Sequence, residues 1–512
     1  MGPASPIRRS PVLGLGIGAV VVAVIAAAIW GIPAITGGSA SPSASAPVSS
    51  AEPSAVAAAS ASDAGASVDP GAIASPAPSV TLPAPTQLPG GPFASSGAMV
   101  TLGGDGSLTL VSADGRAVPL APADDGAVAF PAWSPDGTRI AAIRLAAGAN
   151  EIVVFDARRA AGGVVTPTVI LRSSTIGPFY LSWSPDGRNV SYLAEEPNGL
   201  SLRLAPADGS APIDGSGPGA RVRTGNPFYF DWLGSDRLLA HVGTGTDAFL
   251  GEMLLDGTAA GPALATPGDF RAPAVSADGS WISYVRAASG GSAAIVTARR
   301  DGTGERSMPV FGMASVGFSP KAPLVASIGP VAAAATAFNI PVGPVRVLDA
   351  TTGASRTLLD GTILSDWWSP DGTTIAAIRV QPAGGASPGS SQAPSASPPG
   401  LSATQLPADG SAALAPSAEP SPSAAPQEVR VVFVDVATGK IQSDPLIQPG
   451  RVFIDQYLTY FDQYATSHQL WAPDSSSILI PVDDPDGSHL ALVPRAGGSL
   501  RRLDGVMGAW SP

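Results

Sequence analysis

The 512-residue chain contains no cysteine. This absence excludes disulfide bonds, zinc sites built from thiolates, a cysteine nucleophile and a lipid anchor on cysteine. Lysine is almost as scarce, since Lys321 and Lys440 are the only lysines among 28 basic residues, and the net charge is −12. A chain this acidic, with no basic stripe, is poorly suited to neutralise nucleic-acid phosphates. Nucleic acid is therefore not an expected partner.

Two tracts are poor in bulky apolar residues and in charge. Ranges 36–97 and 381–427 consist mainly of Ala, Ser, Pro and Gly, and they hold 20 of the chain's 53 prolines. Such sequences bury too little apolar surface to offset the entropy lost on ordering. We therefore expect a disordered linker at 36–97 and a low-complexity loop insertion at 381–427, within a folded domain spanning 98–512.

A charge-free apolar run extends from Val12 to Trp30, shortly after Arg8 and Arg9, and continues weakly to residue 35. Nineteen helical residues span roughly 28 Å, which is close to the hydrocarbon thickness of a bilayer. The next basic residue is Arg116, so the positive-inside rule predicts a cytoplasmic tail at 1–11 and an extracytoplasmic remainder. We predict a signal-anchor helix at 12–35, with a cleavable signal peptide as the alternative.

The folded region is built on a repeat. The string WSPDG occurs three times, at 133–137, 183–187 and 368–372, and each copy precedes a short apolar strand. Looser copies fill the intervals, mostly 39–50 residues long, and a repeat of strands and turns near this length is typical of a β-propeller. The apolar residues that open the copies are Trp133, Trp183, Trp232, Val275, Phe318, Trp368, Trp471 and Trp510.

Each copy predicts a strand, a tight turn and a second strand. In the first copy, Pro135 fixes φ, Asp136 bonds its own backbone and Gly137 tolerates positive φ. Because the turn aspartates recur at one register, we interpret them as turn formers and not as catalytic carboxylates. The predicted structural repeat positions are Trp133, Asp136, Gly137, Trp183, Asp186, Gly187, Trp368, Asp371, Gly372, Trp471 and Trp510.

The copies WSPDGTRIAAIR, WSPDGRNVSYLAEE and WSPDGTTIAAIRV resemble the repeat of TolB-like, WD-repeat-like bacterial propellers. The resemblance covers about 98–380 and 428–512. It implies an all-β propeller that serves as a periplasmic or surface-bound binding scaffold, or as a propeller domain appended to a peptidase. The chain departs from this pattern because neither a TolB-type α/β domain nor a peptidase domain is recognisable, so neither specific role carries over.

The ends of the folded region predict how the ring closes. Residues 505–512 read as a first strand, while residues 98–122 read as second, third and fourth strands. One blade built from both ends would remove the exposed strand edges. Counting that shared blade favours eight four-stranded blades. Seven is the alternative, because the copies around Trp232 and Phe318 are degenerate.

The most unusual folded stretch is an aromatic segment before Trp471, whose rings are spaced by three and four residues as on one helix face. The long loops share the propeller face opposite the WSPDG turns, so we expect that face to carry recognition and the turn face to be structural. Two interpretations of the segment stay open: a ledge that binds a glycan or peptide, or a lid packed on the propeller. The candidate ligand surface is Phe453, Tyr457, Tyr460, Phe461 and Tyr464.

Enzyme signatures are poor. The histidines His241, His468 and His489 are scattered, which argues against a metal site or base catalysis, and no cofactor is expected. We predict a non-catalytic binding or scaffold module for a protein, peptide or cell-envelope glycan, single-pass in a bacterial cell membrane. The alternative is a propeller-type hydrolase or lyase with acidic and arginine residues in its axial channel. A sensory ectodomain ranks lowest.

Overall fold

The computed structural model describes residues 97–512 with gaps at 147, 161–164, 197–198, 245–247, 268–270, 289–291, 332–339 and 384–426, together with one short strand at 86–87. The predicted tail 1–11, span 12–35, nearly all of the linker 36–97 and most of the loop 381–427 lie outside the described residues. Within the described part, no helix has both the length and the apolar character needed to cross a bilayer.

Both ends of the folded region share one sheet, as the sequence predicted. Its strand order is β1-β4-β3-β2-β31. Met99 pairs with Trp510 and Leu102 with Met507, so the last strand is hydrogen-bonded to the first long one. The strands are β1 (Thr86–Gln87), β2 (Met99–Leu102), β3 (Leu108–Val111), β4 (Arg116–Ala121) and β31 (Met507–Trp510).

The first two WSPDG copies each form a four-stranded antiparallel sheet. Apolar and β-branched residues favour these strands, and the turn residues separate them. The first sheet is β5 (Ala127–Trp133), β6 (Arg139–Ala146), β7 (Ala149–Asp156) and β8 (Thr168–Ser173). The second is β9 (Gly177–Trp183), β10 (Asn189–Glu196), β11 (Gly199–Pro206) and β12 (Arg221–Thr224).

Three of the looser copies form antiparallel sheets of three or four strands. A three-stranded sheet holds β13 (Phe228–Trp232), β14 (Arg237–Val242) and β15 (Phe249–Leu254). A four-stranded sheet holds β16 (Ala274–Val275), β17 (Trp281–Ala287), β18 (Ala293–Arg299) and β19 (Arg306–Val310). The last copy contributes β28 (Ser477–Asp484), β29 (Gly487–Pro494) and β30 (Arg501–Leu503).

One sheet is continuous over eight strands because β23 belongs to two units at once. Its N-terminal half pairs with β22 and its C-terminal half with β24. Strand β24 continues through Pro382 and β25 begins at Gln427, so both strands overlap the ends of the predicted insertion 381–427. The strands are β20 (Ser315–Phe318), β21 (Leu324–Ile328), β22 (Gly343–Asp349), β23 (Ser355–Trp368), β24 (Thr374–Pro382), β25 (Gln427–Asp435), β26 (Ile441–Ser443) and β27 (Leu446–Ile447).

The repeat tryptophans join each unit to the preceding one. The indole nitrogen of Trp133 donates to the carbonyl of Ala509 at 3.1 Å, and that of Trp183 to the carbonyl of Ala132 at 3.0 Å. Trp368 and Trp471 make the same bond, at 3.1 Å each, to the carbonyls of Gly317 and Trp367. A buried indole N–H needs such a partner, so each ring fixes the spacing between neighbouring sheets.

The turn aspartates bind their own turns. Asp136 Oδ1 accepts from Ser134 Oγ at 2.6 Å and from the Thr138 amide at 3.1 Å, while Gly137 has a φ of 65°. The hydrogen bond from Ser134 holds the pKa of Asp136 below its usual value. Asp186 and Asp371 accept the equivalent bonds, and Gly187 and Gly372 have φ of 66° and 69°. These contacts account for the motif without a catalytic role.

Candidate functional site

A short helical segment lies among the first strands of the sheets. It comprises residues 451–470, which we call the plug. Its helices are a π-helix (Phe453–Tyr457), a 3₁₀ turn (Leu458–Tyr460) and a single α-helical turn, α1 (Phe461–Tyr464). A further 3₁₀ turn, Ala123–Asp125, lies elsewhere, before β5. The chain bridges to β28 before the plug, at Pro449, and after it, at Trp471. The plug thus replaces most of the first strand of this unit.

Aromatic side chains from several first strands surround the plug. Tyr464 stacks on Phe130 of β5 with ring centroids 6.2 Å apart, and it meets Tyr180 of β9 edge-on at 5.3 Å. On another side, Phe461 contacts Trp367 of β23 at 6.1 Å. Because β5, β9 and β23 belong to different sheets, the plug fills the space that their first strands enclose. We call this space the channel.

The predicted ligand surface lies in this interior. Phe453, Tyr457, Phe461 and Tyr464 are between 0% and 7% exposed, and Tyr460 is half-buried. The rings therefore do not form a ledge open to solvent. They pack against the propeller, as the lid interpretation expected. The segment differs from a lid because it occupies the channel and does not cover a face. The physical reason is that the first strands offer aromatic partners deep inside the ring.

Polar contacts fix the position of the plug. The side-chain amide of Gln463 accepts from the Phe230 N–H at 3.0 Å and donates to the Phe230 carbonyl at 2.8 Å. It thereby pairs the backbone N–H and carbonyl of Phe230 in β13, as a neighbouring strand would. The hydroxyl of Tyr180 donates to the Gln463 carbonyl at 3.0 Å. These bonds connect the plug to two sheets more than 200 residues away in sequence.

A buried ion pair holds the plug on its other side. Arg271 Nη1 lies 3.3 Å from Asp462 Oδ1, and the two side chains are only 2% and 1% exposed. The same nitrogen donates to the Thr459 carbonyl at 2.9 Å, and the Ala272 amide donates to Asp462 Oδ2 at 3.3 Å. The guanidinium and the backbone amide offset the cost of burying the carboxylate of Asp462. Removing either partner would leave a buried charge without compensation.

A cavity of about 340 Å³ lies beside the C-terminal half of the plug. Its walls are the ends of β13, β16, β20 and β23, together with Pro320 and Pro370 from the turns that follow. The cavity therefore belongs to the turn end of the channel, whereas the sequence favoured the opposite face for recognition. Its lining residues include Asp231, Ser315, Gly317, Asp366, Asp462 and His468.

Two carboxyl groups in the cavity wall have raised pKa values. Asp231 accepts from the Val275 and Trp232 amides, each at 2.8 Å, yet its deep position raises its pKa to about 6. Burial, with the nearby negative charge of Asp462, raises the pKa of Asp366 to about 7. Both residues are half-buried and line the cavity. A pKa of about 7 places the change between the acid and the anion of Asp366 near neutral pH.

Two buried polar atoms in the wall have no hydrogen-bond partner among the described residues: His468 Nε2 and Ser315 Oγ. Each of these residues is 1% exposed. His468 Nδ1 lies 2.7 Å from Ser467 Oγ, and burial lowers the pKa of the imidazole to about 3, so the ring is neutral. Buried polar atoms normally find partners, but both of these atoms are closed off from solvent and so lie behind the surface of the cavity.

Sequence reasoning missed this cluster, although a signal was present. Asp231 directly precedes the repeat Trp232, where other copies carry small or apolar residues such as Ala132 and Ala509. Asp366 lies two positions before Trp368. The three histidines do not converge, since only His468 reaches the cavity. In the described part of the chain, no three His, Cys, Asp or Glu side chains are arranged to hold a metal ion.

No protein-family model and no curated protein matches the sequence. Among solved structures, TolB from Acinetobacter baumannii is similar, with 18% identity, a TM-score of 0.32 and coverage of 52% of this chain and 64% of TolB. This chain thus spans less than two thirds of that TolB.

A protein assigned as TolB from Agrobacterium tumefaciens is similar at 20% identity, with a TM-score of 0.31 and coverage of 52% and 90%. An oligogalacturonate lyase in complex with manganese is similar at 9% identity, with a TM-score of 0.35 and coverage of 80% and 86%. TolB structures are thus among those that this chain resembles, as the repeat predicted. With TM-scores below 0.5, these similarities carry no argument about ligand or activity.

Proposed function

We propose that this chain is a non-catalytic binding module whose ligand occupies the cavity at the turn end of the channel. The observation that carries the proposal is a cavity of about 340 Å³ whose wall brings Asp231 and Asp366, from two different sheets, together with Asp462 of the plug. Concave sites with a few convergent polar groups are the usual form of ligand sites. A protein, a peptide or a cell-envelope glycan could present the group that enters.

The proposed architecture is an eight-bladed propeller. Its support is the eight-stranded sheet, which divides at β23 into two blades, together with six other sheets of three to five strands. The proposed setting is outside the cytoplasm of a bacterial cell, with residues 12–35 as a single membrane anchor. Its support is the charge-free apolar run and the absence of basic residues between Arg9 and Arg116.

The variant Gly317→Leu tests whether the cavity binds ligand. A Cβ at Gly317 meets no atom within 4 Å, and Gly317 lies in the cavity wall. A leucine there should fill part of the cavity and leave the fold intact. We expect saturation-transfer NMR of the full chain with a mixed library of neutral, anionic, cationic and sugar fragments to give hits that Gly317→Leu weakens at least about tenfold.

Gly261→Leu is the matched control, because a Cβ at Gly261 also meets no atom within 4 Å and Gly261 is exposed outside the cavity wall. The control should keep every hit. Hits that survive Gly317→Leu unchanged, with both variants folded, would contradict the proposal.

One observation favours a second candidate function, an axial-channel hydrolase or lyase. The pKa of Asp366 is raised to about 7 by burial, which suits a general acid or base near neutral pH. Turnover of glycosides, lactones or peptides by the full chain, lost in Asp366→Asn, would favour this candidate over pure binding. Absence of turnover with intact fragment binding would favour the binding module.

A further inference from the structure

We propose that the short strand β1 (Thr86–Gln87) is an edge guard, which covers the outer edge of the sheet that closes the ring and keeps a second copy of this chain from pairing there. We call that sheet, β1-β4-β3-β2-β31, the closing sheet. Neither β1 nor β4 lines the ligand cavity, so this role is separate from ligand binding.

Strand β4 would be the outer edge of the closing sheet if β1 were absent. β1 lies at the end of the strand order and pairs with β4, at Thr86 with Ala117 and at Gln87 with Arg116. An uncovered β4 would present unpaired N–H and carbonyl groups to solvent, and such an edge recruits strands from other chains. β1 fills this position with main-chain groups of the same chain.

The residues of β4 make its edge prone to association. Arg116 is the only charged residue among its six, and four of the six are buried. Pro119 has no N–H, so Arg116–Val118 is the longest run of β4 in which every residue carries one. Both residues that pair with β1 lie in this run. The guard therefore covers the part of the edge where backbone donors are continuous.

The linker sequence accounts for the short length of β1. Pro85 and Pro89 flank it, so only Thr86, Gln87 and Leu88 carry an N–H between these prolines. Two consecutive antiparallel pairs include one pair that exchanges hydrogen bonds in both directions, which is enough to occupy the edge. The flanking prolines also leave few donors for a further strand on the outer side of β1.

Other outer strands of the ring are covered or charged as well. The Arg172 amide of β8 donates to the Ile213 carbonyl at 2.5 Å, and the Ala260 and Leu264 amides donate to carbonyls of β15 at 2.9 and 2.8 Å. β12 carries two arginines among four residues, and β30 carries two among three. Covering segments and charges are the usual protection of strand edges. β4, with one charge, receives a covering strand.

β1 is not needed to close the ring. Closure depends on the pairing of Met99–Leu102 with Met507–Trp510, and β4, β3 and β2 lie between β1 and the last strand. Loss of β1 should therefore uncover β4 without opening the ring. The effect on association is thus separable from an effect on folding.

The first experiment asks whether β1 lies on β4 of its own chain. Because the chain has no cysteine, Thr86→Cys with Ala117→Cys, and Gln87→Cys with Arg116→Cys, each introduce the only two thiols. Opposite residues of antiparallel strands lie within disulfide range. With dissolved oxygen as oxidant and the full chain in non-ionic detergent, we expect at least one pair to form a disulfide within the monomer, seen on a non-reducing gel. Gln87→Cys with Arg158→Cys, in an exposed turn of another sheet, should keep free thiols.

The second experiment removes the guard. Thr86→Pro with Gln87→Pro deletes both N–H groups of β1, and Ser49→Pro with Ser50→Pro is the matched control elsewhere in the linker. In analytical ultracentrifugation of the full chain, we expect the guard variant to dimerise with a Kd at least about tenfold lower than that of the native chain, and the control to match the native chain. Circular dichroism should stay native in both.

Hydrogen exchange then locates the contact. In the guard variant at low concentration, the amides of Arg116–Val118 should exchange faster than in the native chain, because an edge without a partner is open to water. Raising the protein concentration should slow these amides again, whereas those of β12 (Arg221–Thr224) should not respond.

Three outcomes would overturn the proposal. One is that neither β1–β4 cysteine pair oxidises in preference to Gln87→Cys with Arg158→Cys. Another is an intramolecular disulfide together with unchanged self-association of the folded proline variant, since β1 would then lie on β4 without guarding it. The third is a dimer of that variant whose formation leaves the exchange of Arg116–Val118 unchanged, because the copies would then meet at another surface.

Discussion

Replacing Asp462 by alanine is expected to lower the free energy of unfolding by about 3–5 kcal/mol, because it leaves a buried guanidinium without its carboxylate. Asp462 and Arg271 are 1% and 2% exposed, 3.3 Å apart. Asp462 also accepts from the Ala272 amide. The loss should appear as a lower thermal midpoint and a lower urea midpoint of the full chain. Near-ultraviolet circular dichroism should also change, because the aromatic plug loses an anchor.

Two controls separate this effect from a general loss of charge. Asp455→Ala breaks the ion pair with Arg451 in the same segment, where Arg451 is 67% exposed, so its cost should stay below about 1 kcal/mol. The double variant Arg271→Met with Asp462→Leu removes both charges and should cost less than Asp462→Ala alone. Equal losses for Asp462→Ala and Asp455→Ala would show that the plug does not depend on this pair.

Asp366→Asn is expected to stabilise the protein at about pH 8 by on the order of 2–4 kcal/mol, with the gain vanishing near pH 4. The pKa of Asp366 is raised from 3.8 to about 7 in the folded chain. A raised pKa favours folding below the unfolded value, and this contribution is lost as pH rises through the folded value. Asparagine has no carboxyl group to ionise, so the variant does not lose this stability as pH rises. Urea midpoints of both proteins at several pH values give the difference.

Asp278→Asn is the control of opposite sign. Hydrogen bonds from Ser276 and Ser280 lower the pKa of Asp278 to about 2 in an exposed turn. Its contribution is present above the unfolded pKa and is lost only as pH falls through about 2. Asp278→Asn should therefore weaken stability at pH 8. An Asp366→Asn variant that is also less stable at pH 8 would contradict a desolvated carboxyl group in the cavity.

The fold was largely readable from the sequence because its determinants are local. Serine, proline, aspartate and glycine in WSPDG define the turn, and the alternation of apolar residues defines the strands on either side. The second strand predicted for the first WSPDG copy forms as Arg139–Ala146, and the ends predicted to pair do so at Met99 and Trp510. Each of these predictions depends on residues within a few positions, or on counting repeats.

The candidate site could not be predicted in the same way, because it depends on contacts between copies that are distant in sequence. The ring spacing from Phe453 to Tyr464 correctly indicated a helical face, but nothing nearby in sequence says which surface that face meets. Its partners Tyr180 and Phe230 lie 283 and 233 residues away. The pKa of Asp366 likewise depends on Asp462, which approaches only when the plug enters the channel. Residues this far apart in sequence come into contact only when the sheets have assembled.

Hydrogen exchange of the full chain, followed by mass spectrometry, shows whether the plug fills the channel. If residues 453–468 fill the channel, their amides should exchange as slowly as those of Gly177–Trp183 in β9, and far more slowly than those of the 3₁₀ turn Ala123–Asp125, which has no buried residue. Exchange of the plug amides as fast as that of Ala123–Asp125 would show that the segment lies outside the ring, and the cavity beside it would be lost.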